Sequence, residues 1–135
     1  MVRRLITPDN FTPAMGAYSH GVVVELADAS LIFVTGQIAL DEKGQLVSDD
    51  VEVQTRYVFD RVKRILEASG ASFDDVVKAQ IFLTDINDFA TVSPIRNEYF
   101  SASRPASTLV EVSALVREGC KVEVEVIAVK PHGAA

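Results

Sequence analysis

Apolar residues along this 135-residue chain recur with two periods, and each period predicts a different element. Single alternation is clearest near the end. Over residues 122–129 Val122, Val124 and Val126 share one face, and Lys121, Glu123 and Glu125 take the other. Residues 104–112 read R-P-A-S-T-L-V-E-V, and Pro105 has no N–H for a central ladder, so it marks the entry to a strand. Ser107, Leu109 and Glu111 would then point one way and Thr108, Val110 and Val112 the other. Two strands, each with an aliphatic face and a face carrying polar groups, predict a sheet packed on helices. The polar face is left for water, a partner chain or a ligand.

The longer period is strongest over residues 49–69. Val51, Thr55, Val58, Val62, Ile65 and Leu66 form one stripe, Asp49 or Asp50 can cap its start, and Gly70 suits a left-handed end. A strand is expected at residues 76–84. A shorter helix follows near Phe89–Phe100, with Phe89, Val92, Arg96 and Tyr99 on one side. Within it Ser93-Pro94 reads as an N-cap followed by proline at the first helical position, so a turn would precede the helix proper. Towards the N-terminus, Val2–Ile6 suits an edge strand, and residues 10–17 suit a loop leading to Tyr18-Ser19-His20. Residues 21–26 and 31–35 form a hairpin around residues 27–30, and residues 41–44 form a turn. This order is α+β, in one domain, with helices on one sheet face. A closed symmetric oligomer is the economical way to cover the other face.

Composition narrows the classes. Apolar content of 48% with 24% charge suits a globular chain. No apolar run has the length of a membrane span, and no hydrophobic stretch follows Arg3 and Arg4, so neither a membrane segment nor a secretory signal is expected. The lone Cys120 rules out an internal disulfide and suits a reducing, cytoplasmic setting. A net charge of −6 argues against a nucleic-acid partner, because phosphate binding needs clustered cations. The nearest cluster, Arg61, Lys63 and Arg64, reads as a solvated helix face. Two distant histidines and one cysteine supply no metal-ligand spacing, and no cofactor is implied.

Several segments together resemble the Rid family of reactive-imine and enamine deaminases, once called the translation-inhibitor or endoribonuclease family. They are G-A-Y-S-H-G at residues 16–21, F-V-T-G-Q-I at 33–38, Q-T at 54–55, E-A-S-G-A-S-F-D-D-V-V-K at 67–78 and F-L-T-D-I-N-D-F-A at 82–90. R-P-A-S-T-L-V-E-V and V-E-V-E-V-I-A complete the set. The resemblance implies a chorismate-mutase-like α+β fold, with a mixed sheet of about six strands, two helices on one face and assembly as a homotrimer with interfacial pockets. It also implies that Ser107 stands where relatives carry a carboxylate-binding arginine, Ser93 where asparagine is frequent, and Leu109 where cysteine occurs. Tyr18, Thr35, Gly36 and Phe89 match the family's pocket positions, and Glu123 matches the acid that orients the hydrolytic water.

Each candidate has a plainer alternative. Glu123 is either a water-holding base or a solvated strand carboxylate paired with Lys121 or Arg117. Glu125 shares its face and reads as structural. Tyr18 either donates its hydroxyl to substrate or covers the sheet edge. Ser107 lines a pocket or opens the strand, and nothing near it forms a nucleophile–histidine pair. Ser93 reads as a cap. Arg96 or Arg104 could replace the missing charge. His20 reads as a satisfied loop residue, and Cys120 as redox-inert. The expected activity is cofactor-free hydrolysis of a small imine or enamine, with a preference away from 2-aminoacrylate. The alternative is a ligand-binding or client-holding trimer without catalysis. A ribonuclease is disfavoured by the acidic composition and the lack of a histidine pair.

Overall fold

The stripe at residues 49–69 becomes the helix that the sheet packs on. In the computed structural model, which describes residues 2–133, α1 spans Val51–Ala68. The Asp50 carboxylate accepts from the backbone N–H groups of Glu52 and Val53, meeting two donors that the helix itself leaves open. Gly70 closes the other end at φ +85°, where a side chain would be strained. Thr55, Val58, Val62, Ile65 and Leu66 are buried as the spacing predicts, together with Gln54 and Phe59. Arg61 is buried too. The solvated face expected for Arg61, Lys63 and Arg64 therefore holds only for Lys63: Arg61 follows Val58 by three positions and falls within the stripe, and Arg64 lies 4.7 Å from the Phe11 ring centroid and donates to the Asp9 carbonyl.

Six strands form one sheet: β1 (Val2–Ile6), β2 (Gly21–Glu25), β3 (Ala29–Gln37), β4 (Val76–Leu83), β5 (Ala106–Glu111) and β6 (Val122–Pro131). Their order is β1-β2-β3-β6-β4-β5, antiparallel except for the β4–β5 pair. A parallel pair needs a crossover, and α2 (Phe89–Phe100) supplies it. This is the mixed α+β sheet with two helices that the resemblance implied. β3 begins at Ala29, two residues earlier than expected, because β6 runs on to Pro131 and pairs with it there. The β2–β3 turn is correspondingly tight, with Leu26 N–H donating to the Ala29 carbonyl at 2.9 Å.

Two further expectations are corrected. Ser93 does not cap α2. A 3₁₀ turn at Ile86–Asp88, capped by the Asp85 side chain, feeds straight into the helix, so Pro94 lies beyond its first turn. The buried side of α2 is Val92, Ile95 and Phe100, with Phe89 largely exposed. In β5 the open face is the aliphatic one. Leu109 registers with Ile81 of β4 and packs on the core, whereas Val110 faces away from the helices. β6 behaves as predicted, burying Val122, Val124 and Val126 and turning Glu123 and Glu125 to the open side.

The core is one cluster of apolar side chains drawn from both helices and from every strand except β5. Phe59 stacks on Tyr99 at 4.7 Å and meets Phe100 edge-on, tying α1 to α2. Gln54 is one of several polar side chains buried beside this cluster. Gln54, fully buried, donates to the carbonyls of Ser48 (2.8 Å) and Gly119 (2.9 Å) and accepts from Lys121 N–H (2.8 Å). It thereby fixes where β6 starts. Replacing it by leucine removes the partner of three part-buried backbone groups, so Gln54→Leu is expected to lower unfolding stability by about 1–3 kcal/mol, read as a lower urea midpoint at unchanged slope.

Candidate functional site

β3 outruns its neighbour. β2 ends its pairing with Gly21 opposite Val34, yet β3 continues to Gln37. Beyond Val34 the covering element is the loop before β2, held by Thr35 N–H to the His20 carbonyl (2.9 Å) and by the Thr35 hydroxyl to the Ser19 carbonyl (2.6 Å). On the β6 side the register steps from Val34–Val126 to Gln37–Val124. Thr35 and Gly36 thus oppose one residue, a β-bulge, and the facing pattern changes phase across it. Val34 and Gln37 both turn to the core as a result. Beside this bulge lies a cavity of about 540 Å³, lined among others by Tyr18, His20, Thr35, Gly36, Arg61 and Glu123.

Glu123 registers with Phe82 and faces away from the helices. Its side chain lies directly across Gly36, so that a Cβ built there would sit 2.9 Å from Glu123 Cδ. Only glycine leaves that room. Burial pushes the Glu123 carboxyl above its ordinary range, and the Glu125 charge adds to the effect. The cations expected to neutralise Glu123 are occupied elsewhere. Lys121 Nζ donates to the Asp49 carbonyl at 2.6 Å, and Arg117 to the Gly44 carbonyl at 2.9 Å.

The aromatic wall is ordered by local bonds. The Tyr18 hydroxyl accepts from Met15 N–H at 3.2 Å while its ring stays half exposed to the cavity. His20 is buried, with Nε2 against the Thr12 carbonyl and its ring edge-on to Phe11 at 4.8 Å. Burial lowers its pKa, so near neutral pH the ring is uncharged and donates through Nε2, which leaves Nδ1 without a partner among the described residues. His20 is therefore not the fully satisfied residue expected. Arg61 enters from α1, its Nε donating to Gln37 Oε1 at 2.9 Å and its guanidinium lying 4.0 Å from the Phe11 ring centroid.

The other predicted positions lie apart from this cavity. Ser107 lines a separate cleft with Arg96, Phe100 and Arg104. Arg104, at φ +47°, sits outside β5 and so escapes the strand alternation that would have turned it away from Ser107. Ser93 accepts from Arg96 at 2.8 Å, and Arg96 lies 5.9 Å from the Phe89 ring. Leu109 leans on the core. Through the register Ser107–Ala79–Val126, Ser107 is two strands and three residues from Glu123, roughly 14 Å by standard sheet spacings, and it faces the helix side. One copy of the chain brings Tyr18, Thr35, Gly36 and Glu123 together. It does not bring Phe89, Ser93, Ser107 or Leu109 to them.

Three comparisons bear on this geometry. The family model described as endoribonuclease L-PSP matches residues 9–130. A RutC family protein of Pyrococcus abyssi is 40% identical over 96% of this chain and 99% of its own. A bovine protein named 2-iminobutanoate/2-iminopropanoate deaminase is 38% identical over 96% of this chain and 92% of its own. The crystal structure of YEO7_yeast, at 34% identity, superposes with a TM-score of 0.84 over 96% of this chain and 99% of that one.

The Glu123 environment is directly measurable. Carboxyl NMR titration is expected to show Glu123 ionising above the ordinary glutamate value of 4.5, and Glu125→Gln is expected to lower that midpoint by removing the like charge. Because folding disfavours the ionised form, Glu123 costs stability increasingly as pH rises through its own ionisation, and this cost is absent below the ordinary value. Glu123→Gln should therefore gain stability over the native protein near neutrality and none in acid. Gly36→Ala forces the carboxylate aside and should cost about 1–3 kcal/mol.

Proposed function

We propose a function on one premise: the chain belongs to the endoribonuclease L-PSP family, the group that includes the Rid proteins it resembles. The reaction is hydrolysis of a small imine, or of the imine tautomer of an enamine, to a carbonyl compound and ammonia. The observation that carries it is Glu123, a half-buried carboxylate with a raised pKa against Gly36 in a cavity of about 540 Å³. A carboxylate whose pKa approaches the working pH is a better base, because it still ionises yet holds a proton well.

Water held by Glu123 attacks the C=N carbon while its proton passes to the carboxylate. The carbon–oxygen bond forms as the π electrons move to nitrogen. Glu123 returns that proton to the nitrogen, then carries the hydroxyl proton of the resulting carbinolamine to the same nitrogen, and the carbon–nitrogen bond breaks so that ammonia leaves as the carbonyl forms. The substrate carbon is already electrophilic, so these steps call for no cofactor. Tyr18 and the Thr35–Gly36 backbone bound the substrate on the loop side.

The remaining positions belong to this reading through self-association. Ser107, Ser93 and Phe89 lie on the other side of the sheet from Glu123, so a second copy is needed to bring them near it. Exposed Phe33 and Val110, each 39% accessible, favour covering the open face with further copies, as in a homotrimer. With Ser107 in place of an arginine, the second wall offers a hydroxyl rather than a charged fork, and 2-aminoacrylate should be a poor substrate.

An amino-acid oxidase that generates imines in situ supplies the assay. Glu123→Gln is expected to lower imine hydrolysis by roughly 10²–10⁴-fold with the fold intact. The acid limb of the rate profile should follow the Glu123 titration and move down in pH in Glu125→Gln. Equal imine loss with native protein, Glu123→Gln and no protein, across a series of imines, would leave a binding or client-holding trimer in place of an enzyme.

A further inference from the structure

A helix stripe seldom includes a guanidinium, and when it does the charge needs a counterpart. Arg61 is 7% exposed, in a run of buried Val58, Phe59, Val62 and Ile65. Gln37, turned inward by the bulge, takes its Nε–H, and Phe11 covers one face of the guanidinium plane. Among the described residues the Nη groups have no hydrogen-bond acceptor and no carboxylate lies within 4.0 Å of them. Arginine carries five N–H donors in a fixed fork, so most of them are left over. Arg61 also lines the Glu123 cavity. The cavity's other cations are less demanding: Lys43 and Arg117 are exposed, and Arg117 already donates to the Gly44 carbonyl.

We infer that Arg61 is the anion anchor of this cavity, binding the carboxylate of a small organic acid through its free Nη edge while Gln37 and Phe11 hold the guanidinium in place. The inference rests on the Glu123 cavity being the ligand site, and it gives that site a ligand class. This charge comes from α1 and not from the Ser107 position, so an acid held by it points its carbon chain differently from one held at Ser107, and 2-aminoacrylate remains a poor substrate. A bound carboxylate would complete the hydrogen bonding of a buried charge, and a planar fork facing a planar anion is the strong form of that contact. Glu123 would then meet the carbon chain of the ligand rather than its acid group, since two carboxylates repel.

The test reads binding, not turnover. Propionate and its neutral isostere propanamide are titrated into native protein, Arg61→Gln, Arg61→Lys and Glu123→Gln, followed by calorimetry and by ¹⁵N NMR of arginine side chains. Native protein should prefer propionate, with the Arg61 resonances shifting for propionate and not for propanamide. Arg61→Gln should weaken propionate roughly tenfold or more and leave propanamide unchanged, with Arg61→Lys between the two. Glu123→Gln should bind propionate at least as well as native protein while failing to hydrolyse imines, which separates this inference from the catalytic reading. Equal propionate affinity in folded Arg61→Gln overturns the assignment, as does a native protein that does not discriminate the pair. Should Arg61→Gln fail to fold, silent Arg61 resonances in native protein under saturating propionate overturn it equally.

Discussion

Everything at the cavity depends on two residues of β3 standing opposite one residue of β6. Without that extra residue, Gln37 would lie on the open face and Val34 would keep the phase of its strand to the end. With it, Gln37 turns inward to meet Arg61, and Gly36 comes to lie under Glu123. The bulge therefore sets the position of an amide and of a carboxylate on opposite faces of the sheet in a single step. Such irregularities bend a strand and re-aim its side chains, which a regular ladder cannot do. The loop before β2 completes the arrangement by bonding to Thr35 at the place where β2 has already ended.

Local chemistry was legible in the sequence, and pairing was not. The capping aspartate of α1, the glycine after it and the alternation of β6 are each decided within a few residues, and each is found where the pattern places it. β5 carries Leu109 on one parity and Val110 on the other, so its own residues do not say which side is inward. Register with Ile81 decides, and register is a property of two strands. Ser93-Pro94 looks like a helix start because proline suits that position, but an upstream 3₁₀ turn had already begun the helix. Arg61 could have been found. Its spacing from Val58 and Ile65 sets it in the apolar stripe, and grouping it with Lys63 and Arg64 by charge obscured that spacing. For the candidate site, the loop and β3 positions and Glu123 converge in one chain. Phe89, Ser93 and Ser107 lie elsewhere, since the sequence carries no direct sign of which face meets a neighbour.

The electrostatics of the cavity contrast with those of the chain. The chain carries six net negative charges, yet the buried charge of α1 is a cation, and among the described residues no basic side chain forms an ion pair with the half-buried acid of β6. Both arrangements cost folding free energy, because each charge leaves water without a full set of partners. Departures of this kind from the stable choice gather where a protein does its work. Gln54 shows the opposite case: a polar side chain deep in the core with its amide oxygen and nitrogen both engaged, setting the origin of β6 and hence the height of Glu123.

The cavity's walls come from four stretches distant in sequence: the loop before β2, the end of β3 with the turn after it, the middle of α1, and the approach to β6 together with Glu123 of that strand. No one supersecondary unit contains it. A ligand seated there would touch pieces that separate only when the whole molecule opens, so its binding energy would be coupled to global rather than local unfolding. Amide protons deep in the sheet, far from any contact with that ligand, would then exchange more slowly in its presence.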